Sequence, residues 1–257
     1  MKYHAYFHRA YRRMSRLSRG HVALMVLFVL ILEILLVLFY RPLIDRYIGA
    51  VGRLAAACGV PTNVLHYPFL PVLVEDFPIL ESGFVFPDTR AALVNFLVGV
   101  LVILIVPHLR RLWKPLRIYL VYLALLNSAS AAFFLLWPGR FPYNMAEFSQ
   151  LYMGTQLGIW FMIPLVMGLV LLPVPSSVGE KLLVMLATGA WALLFGVLRY
   201  ASFLYIFDTG SVIYMAAMFF ALGPFLDFVY MVAIYSIYLN LVALRVHGAE
   251  DTWRWSF

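Results

Sequence analysis

The feature of this sequence that most restricts its fold is a set of six apolar segments, each long enough to form a membrane-spanning helix. About 20 helical residues cross the roughly 30 Å hydrocarbon core of a bilayer. We predict spans at Val22–Tyr40, Ala91–Val106, Leu116–Trp137, Leu151–Val174, Leu182–Phe207 and Val212–Ala243. Backbone groups inside lipid must be paired within their own segment, which excludes open strands. The sequence therefore predicts an all-α integral membrane protein with about six transmembrane helices.

The composition agrees with this fold class and bears on the partners. Of the 257 residues, 64% are hydrophobic and only 12% are charged, whereas a soluble domain has about 25% charged residues. The net charge of +7 does not indicate a nucleic-acid partner, because six of the nineteen basic residues lie just before the first span: Lys2, Arg9, Arg12, Arg13, Arg16 and Arg19. Such a cluster is typical of a cytoplasmic terminus near lipid headgroups. We expect the lipid bilayer and other membrane protein subunits as partners, and no nucleic acid.

The distribution of basic residues predicts the orientation. With a cytoplasmic N-terminus, thirteen Lys and Arg residues lie on the cytoplasmic side and five on the outer side, while Arg199 lies within a span. Basic residues are enriched in cytoplasmic loops, so both termini should be cytoplasmic. We predict a basic cytoplasmic arm at 1–21, a six-helix bundle at 22–243 and a cytoplasmic tail at 244–257. The expected location is the bacterial inner membrane.

The longest segment between predicted spans, residues 41–90, should form a small extracytoplasmic insert. Its first half, Pro42–Cys58, repeats apolar residues every three or four positions and predicts a separate amphipathic helix that ends at Gly59. Its second half contains several prolines and two short β-prone runs, at Val72–Val74 and Phe84–Phe86. We expect an irregular hairpin there.

Five of the polar or charged residues inside the predicted spans are the main candidates: Arg199, Asp227, Glu33, Asn95 and Asn127. Charges at this depth are costly in free energy, so each is a candidate for a structural or functional role. Arg199 suits two roles equally. It could lock the bundle through an ion pair with Asp208 or Asp227, or it could bind an anion or oxyanion near the outer face as a candidate catalytic residue.

The sixth predicted span contains Gly223-Pro224, which should interrupt its helix. The preceding stretch would then be a half-helix or re-entrant piece, and Asp227 would lie nearer the depth of Arg199. Asp227 could alternatively relay protons. We expect Glu33 to form a hydrogen bond across helices or to meet a partner subunit.

The cysteine and histidine residues predict no cofactor and no metal. The single cysteine, Cys58, excludes an internal disulfide and a multi-cysteine metal site. We expect it to be a packed small residue, the alternative being a nucleophile served by His66. His4 and His8 have weak metal-site spacing. The cytoplasmic-side histidines are expected to contact solvent or headgroups: His4, His8, His21, His108 and His247.

A first span, an outer helix ending in glycine, a β-like insert and a second span together resemble the layout of the exosortase/archaeosortase membrane transpeptidases. The stretch from Gly179-Glu180-Lys181 through Gly196 to Arg199-Tyr200 is also similar to the helix that carries their essential arginine. The resemblance implies that Arg199 would stabilise the substrate carbonyl or the reaction intermediate.

The sequence departs from that family at two catalytic positions. The segment Phe86–Arg90, before the second span, contains no cysteine, and the segment from Arg199 to Gly223 contains no histidine. The resemblance therefore implies a divergent, non-catalytic relative. We predict a polytopic subunit that scaffolds or assembles a bacterial envelope complex. The alternatives are an exosortase-like transpeptidase or protease acting on surface proteins at the outer face, and a small-solute or proton-coupled transporter, for which no internal repeat is visible.

Overall fold

The computed structural model describes residues 19–67 and 77–246. The chain is mostly helical. The helices are α1 (Arg19–Ala57), α2 (Thr89–Ile105), α3 (Lys114–Leu136), α4 (Met145–Leu171), α5 (Val178–Thr209), α6 (Met215–Leu222) and α7 (Pro224–Val246). The strands are β1 (Thr62–Tyr67) and β2 (Phe77–Ser82), and short 3-10 turns occupy Val106–His108, Pro138–Arg140 and Val212–Tyr214.

Six helical segments are long and apolar enough to cross a membrane, as the sequence predicts. They are Arg19–Ala57, Thr89–His108, Lys114–Leu136, Met145–Leu171, Val178–Thr209 and Val212–Arg245. These segments indicate a multi-pass membrane protein. Most of the predicted basic arm and most of the predicted tail lie outside the described residues. The cytoplasmic placement of both termini stays a prediction, which reporter fusions after Phe257 and near Pro78 test.

The first helix is longer than predicted. The separate helix expected from Pro42 is wrong, because α1 runs through Pro42 without interruption for 39 residues. A proline inside a helix removes one hydrogen bond and can bend the helix without ending it, as Pro42 shows here. The predicted stop at Gly59 is confirmed. Gly59 has a φ of +81°, its N–H donates to the carbonyl of Ala56, and Val60 N–H donates to Ala55, the pattern of a Schellman cap.

An antiparallel hairpin follows α1. In it Thr62 pairs with Ser82 and Tyr67 with Phe77. Of the two runs that the sequence favours as strands, Phe84–Phe86 is not a strand, and Val72–Val74 lies outside the described residues. Instead, Val85 N–H donates to the Phe207 carbonyl at 2.9 Å and Val85 O accepts from Val212 N–H at 3.0 Å. These bonds connect the segment after β2 to the end of α5.

The described chain divides into two compact units. Unit A contains residues 19–41, 158–193 and 227–246, and unit B contains residues 42–67, 77–157 and 194–226. Buried apolar side chains of unit A include Met25, Ile163, Met167 and Met185. Those of unit B include Phe77, Ile79, Leu80, Phe203 and Phe207. The hairpin strand β2 is thus part of the core of unit B, whereas β1 is mostly exposed.

The sixth span is interrupted at Gly223. This residue has φ −86° and ψ −121°, outside helical geometry, and Pro224 begins α7, where its missing N–H costs nothing. The interruption leaves α6 as a helix of eight residues. The last carbonyls of α6 therefore need partners from elsewhere.

Candidate functional site

Arg199 is the centre of a buried polar cluster in unit B. The residue lies on α5 and is 5% exposed. Its Nε donates to the Tyr152 hydroxyl at 3.0 Å, and its Nη2 donates to Gln156 Oε1. Its Nη1 donates to the Gly223 carbonyl at 3.0 Å and to the Leu222 carbonyl at 3.3 Å. All three guanidinium nitrogens therefore have protein acceptors.

The interruption after α6 supplies two of these acceptors. The last turn of a helix has unpaired carbonyls and a partial negative charge, which favour a cation. Arg199 provides that cation to Leu222 and Gly223. The hydroxyl of Tyr119 on α3 donates to the preceding carbonyl, Ala221 O, at 3.1 Å. Side chains of α3 and α5 thus cap three successive carbonyls at the end of α6.

Two aromatic rings complete the surroundings of the guanidinium. Its central carbon lies 5.5 Å from the ring centroid of Tyr152 and 5.4 Å from that of Phe195. Rings at this distance attract a cation, and the attraction is stronger where water is absent. The cluster thus gives Arg199 both hydrogen-bond acceptors and the faces of two aromatic rings for cation–π contact.

A glycine allows the cluster to form. A Cβ at Gly196 would lie 2.9 Å from the hydroxyl of Tyr47 and 3.3 Å from Nε2 of Gln156. Such distances are too short for a side chain to be added without a shift of its neighbours. Gly196 also places its carbonyl 3.5 Å from the Tyr152 hydroxyl. The small residue thus brings α4 and the second half of α1 close to α5 within unit B.

A second polar contact anchors the hairpin. The hydroxyl of Tyr200, next to Arg199 in the sequence, accepts from Leu80 N–H at 3.2 Å and lies 3.3 Å from Leu80 O. Ser149 on α4 donates to the same carbonyl at 2.7 Å. Leu80 is on β2, so these bonds satisfy backbone groups on the strand edge away from β1.

The sequence identified Arg199 but missed most residues around it. Tyr152 and Gln156 are one helical turn apart in an otherwise apolar span, and Gln156 is 1% exposed. A buried amide at that position was an available signal, because polar side chains in spans usually face other helices. Ser149 and Tyr200 gave no comparable signal, since their acceptor is the backbone of a distant strand.

The other predicted intramembrane residues are on four helices, Glu33 on α1, Asn95 on α2, Asn127 on α3 and Asp227 on α7. Asp227 is 1% exposed and lies in the first turn of α7, and its pairing with Arg199 stays a prediction. The amide of Asn95 donates to Ala91 O in its own helix at 2.9 Å. In the part of the chain that the structure describes, Asn127 Oδ1 and Glu33 Oε1 are buried and have no hydrogen-bond partner.

Two expectations about the remaining candidates are corrected. Cys58 is exposed rather than packed, because it follows the last residue of α1, where the chain turns at Gly59. His21 contacts another side chain instead of only solvent or headgroups. Its Nε2 lies 2.8 Å from Nζ of Lys181, which also donates to Leu172 O at 3.0 Å. Lys181 is fully buried, although the sequence places it in a cytoplasmic loop.

The segment where the exosortase family has its cysteine has a structural role here. Asp88 precedes α2 as its N-cap and accepts from Ala91 N–H at 2.6 Å, which satisfies one of the free N–H groups of the first turn. Among residues 19–67 and 77–246, no group of three His, Cys, Asp or Glu side chains could hold a metal ion.

The comparisons with known proteins add no family. No protein-family model, no curated protein and no solved structure matches the chain. The similarity to exosortases stays a hypothesis drawn from the sequence.

Proposed function

We propose that this protein is a non-catalytic, polytopic subunit that scaffolds or assembles a complex in the bacterial inner membrane. One observation carries the proposal: every guanidinium nitrogen of Arg199 donates to a protein acceptor. A cation that binds a substrate carbonyl needs donors directed at that substrate. The donors of Arg199 are instead used to join α4, α5 and the end of α6 within unit B.

The positions at which a transpeptidase would have its nucleophile and its base also favour a non-catalytic subunit. Asp88, in the segment Phe86–Arg90, caps α2, and its carboxylate does not replace a thiolate nucleophile in acyl transfer. The segment from Arg199 to Gly223 offers no histidine as a base. A structural arginine on a six-span scaffold therefore accounts for these features better than a catalytic one.

The experiment compares assembly with activity in the native host. The protein carries a tag at its chromosomal locus, membranes are solubilised in a mild detergent, and the size and composition of the complex are measured by native electrophoresis and mass spectrometry. We expect other chains in fixed ratio to the tagged one. The host's envelope phenotype should depend only on the amount of folded protein in the complex.

The variant Arg199→Lys distinguishes an assembly subunit from a transpeptidase. Arg90→Lys is the matched control at an exposed arginine. Lysine keeps the charge but lacks the planar set of donors. We expect Arg199→Lys to lower the folded protein and the phenotype in proportion, and Arg90→Lys to change neither. A variant that assembles in normal amounts and loses all function, together with unprocessed surface proteins, would support the transpeptidase instead.

A further inference from the structure

Unit B contains an apolar cavity of about 140 Å³. Its walls come from α3, α4, α6 and the connection before α4, with Phe141, Phe148, Met215 and Phe219 among the lining residues. The polar groups that line it are Ser130 and Tyr143. A cavity with few polar groups binds water poorly, and one of roughly 150 Å³ is large enough for a benzene-sized group. The cavity therefore suits a hydrocarbon.

The walls of the cavity are held by aromatic packing. Phe141 packs against Phe134, with ring centroids 4.9 Å apart. Phe148, another lining residue, packs against Phe207 at 4.9 Å and against Phe219 at 6.2 Å. Rings fixed from several sides do not collapse into the space between them at low cost. The cavity is thus preformed.

The cavity opens at the protein surface. Three of its lining residues are about half exposed: Tyr143 at 53%, Leu151 at 53% and Phe220 at 54%. Leu151 lies on a helix apolar enough to cross a membrane, and Phe220 lies within the sixth such segment. Segments of this kind lie in the hydrocarbon of a membrane, where acyl chains are the abundant apolar species.

We propose that this cavity binds the part of one acyl chain that lies next to the headgroup of an anionic membrane lipid. Arg140 directly precedes Phe141 in the chain, is exposed and lies in the 3-10 turn Pro138–Arg140. A cation beside the wall of an acyl site is placed to attract an anionic headgroup. Tyr143 adds an amphipathic ring of the kind found at headgroup level.

The probe is a phospholipid with a photoreactive diazirine on one acyl chain, close to its ester bond, in bilayer nanodiscs with the protein. We expect labelling that saturates, maps by mass spectrometry to peptides containing Leu151 or Phe219, and falls when unlabelled lipid is added. Labelling spread over all exposed helices without saturation would overturn the site, as would cross-links at the cavity to another protein chain instead of lipid.

Substitutions at two neighbouring residues of α3 test the site, one by filling the cavity and the other as its control. Ser130 lines the cavity, whereas Ala129 is exposed. We expect Ser130→Phe to reduce the labelling by about fivefold or more because the ring occupies the space, and Ala129→Phe to leave it unchanged. Ala216→Leu fills the cavity from α6 and should also reduce labelling. Each variant is scored only on protein that elutes as a single folded species, and unchanged labelling in both filled variants would refute the proposal.

Arg140→Gln tests the headgroup. Wild-type protein should label more strongly with a phosphatidylglycerol probe than with a phosphatidylcholine probe, and Arg140→Gln should remove that preference while labelling by the choline lipid persists. Equal labelling by the two lipids in wild-type protein would refute the anionic part of the proposal.

Discussion

Lys181 in unit A and Arg199 in unit B are both buried cations on α5, and both donate to carbonyls at the end of another helix. Lys181 contacts Leu172 O, just past the end of α4, and the ring of His21. Arg199 contacts Leu222 O and Gly223 O at the end of α6, together with Tyr152 and Gln156. The carbonyl end of a helix is a ready acceptor for a cation in a region without water.

The difference between the two cations lies in geometry. An ammonium is a compact charge with three rotatable donors, whereas a guanidinium offers five donors in a fixed plane. Lys181 therefore contacts two acceptors. Arg199 contacts four, two on α4 and two at the interruption between α6 and α7. Loss of Arg199 should consequently disturb more of its unit than loss of Lys181.

The largest effect is expected for Arg199→Leu. Removal of the guanidinium leaves two backbone carbonyls and two side-chain oxygens without their donor, which should lower the free energy of unfolding by about 3 to 5 kcal/mol. Unfolding in lipid micelles with increasing SDS measures the change. If Arg199→Leu unfolds within about 1 kcal/mol of wild type, the Arg199 cluster does not hold unit B together.

The double variant Arg199→Leu/Asp227→Leu tests the ion pair that the sequence predicts. If Asp227 is the counter-charge of Arg199, the single variant strands an acid, and removal of both charges restores part of the folded protein. We expect a partial rescue, because the carbonyls of Leu222 and Gly223 still lack a donor. Fluorescence-detected size-exclusion chromatography gives the folded amount. Strictly additive losses would exclude the pairing.

Gly196→Ala should cost about 2 to 3 kcal/mol, because the new methyl group would overlap Tyr47 and press on Gln156. It would displace an acceptor of Arg199 without changing any charge. Gly189→Ala, on the same helix with open space around it, is the control and should be neutral or stabilising by up to about 1 kcal/mol. Equal behaviour of the two variants in the SDS assay would contradict the close approach at Gly196.

Lys181→Met should have a smaller effect, about 1 to 2 kcal/mol, since it leaves one carbonyl and one imidazole nitrogen without a donor while the apolar stem is preserved. Lys114→Met is the control at an exposed lysine. Thermal unfolding in nanodiscs compares them. A loss as large as that of Arg199→Leu would show that the number of acceptors does not decide the contribution of a buried cation.

The smallest effect is expected for Arg245→Gln. Arg245 binds Glu180 at 2.9 Å, but the two side chains are 62% and 38% exposed, so the pair should contribute less than about 1 kcal/mol. The effect should disappear at high salt. If Arg245→Gln lowers the stability more than Lys181→Met in the same assay, burial does not explain why these cations contribute differently.

Composition and periodicity were sufficient to predict the membrane class, the six apolar spans and the need of Arg199 for partners within the protein. Each depends on local properties: a run of apolar residues requires lipid or a core, and a charge within such a run requires a partner. The stop at Gly59 was also predictable, because the Schellman cap depends on one residue with positive φ. The sequence determined these features by itself.

The partners of the buried cations were decided by tertiary structure. Nothing near Lys181 in the sequence indicates that it is buried against His21, 160 residues away. The position of strand β2 was also decided by tertiary structure, because β2 is stabilised by burial and by bonds from Tyr200 and Ser149 to Leu80. Backbone carbonyls carry no sequence signal, since every residue has one. Only the packing of the helices determines which carbonyl is left free and which cation reaches it.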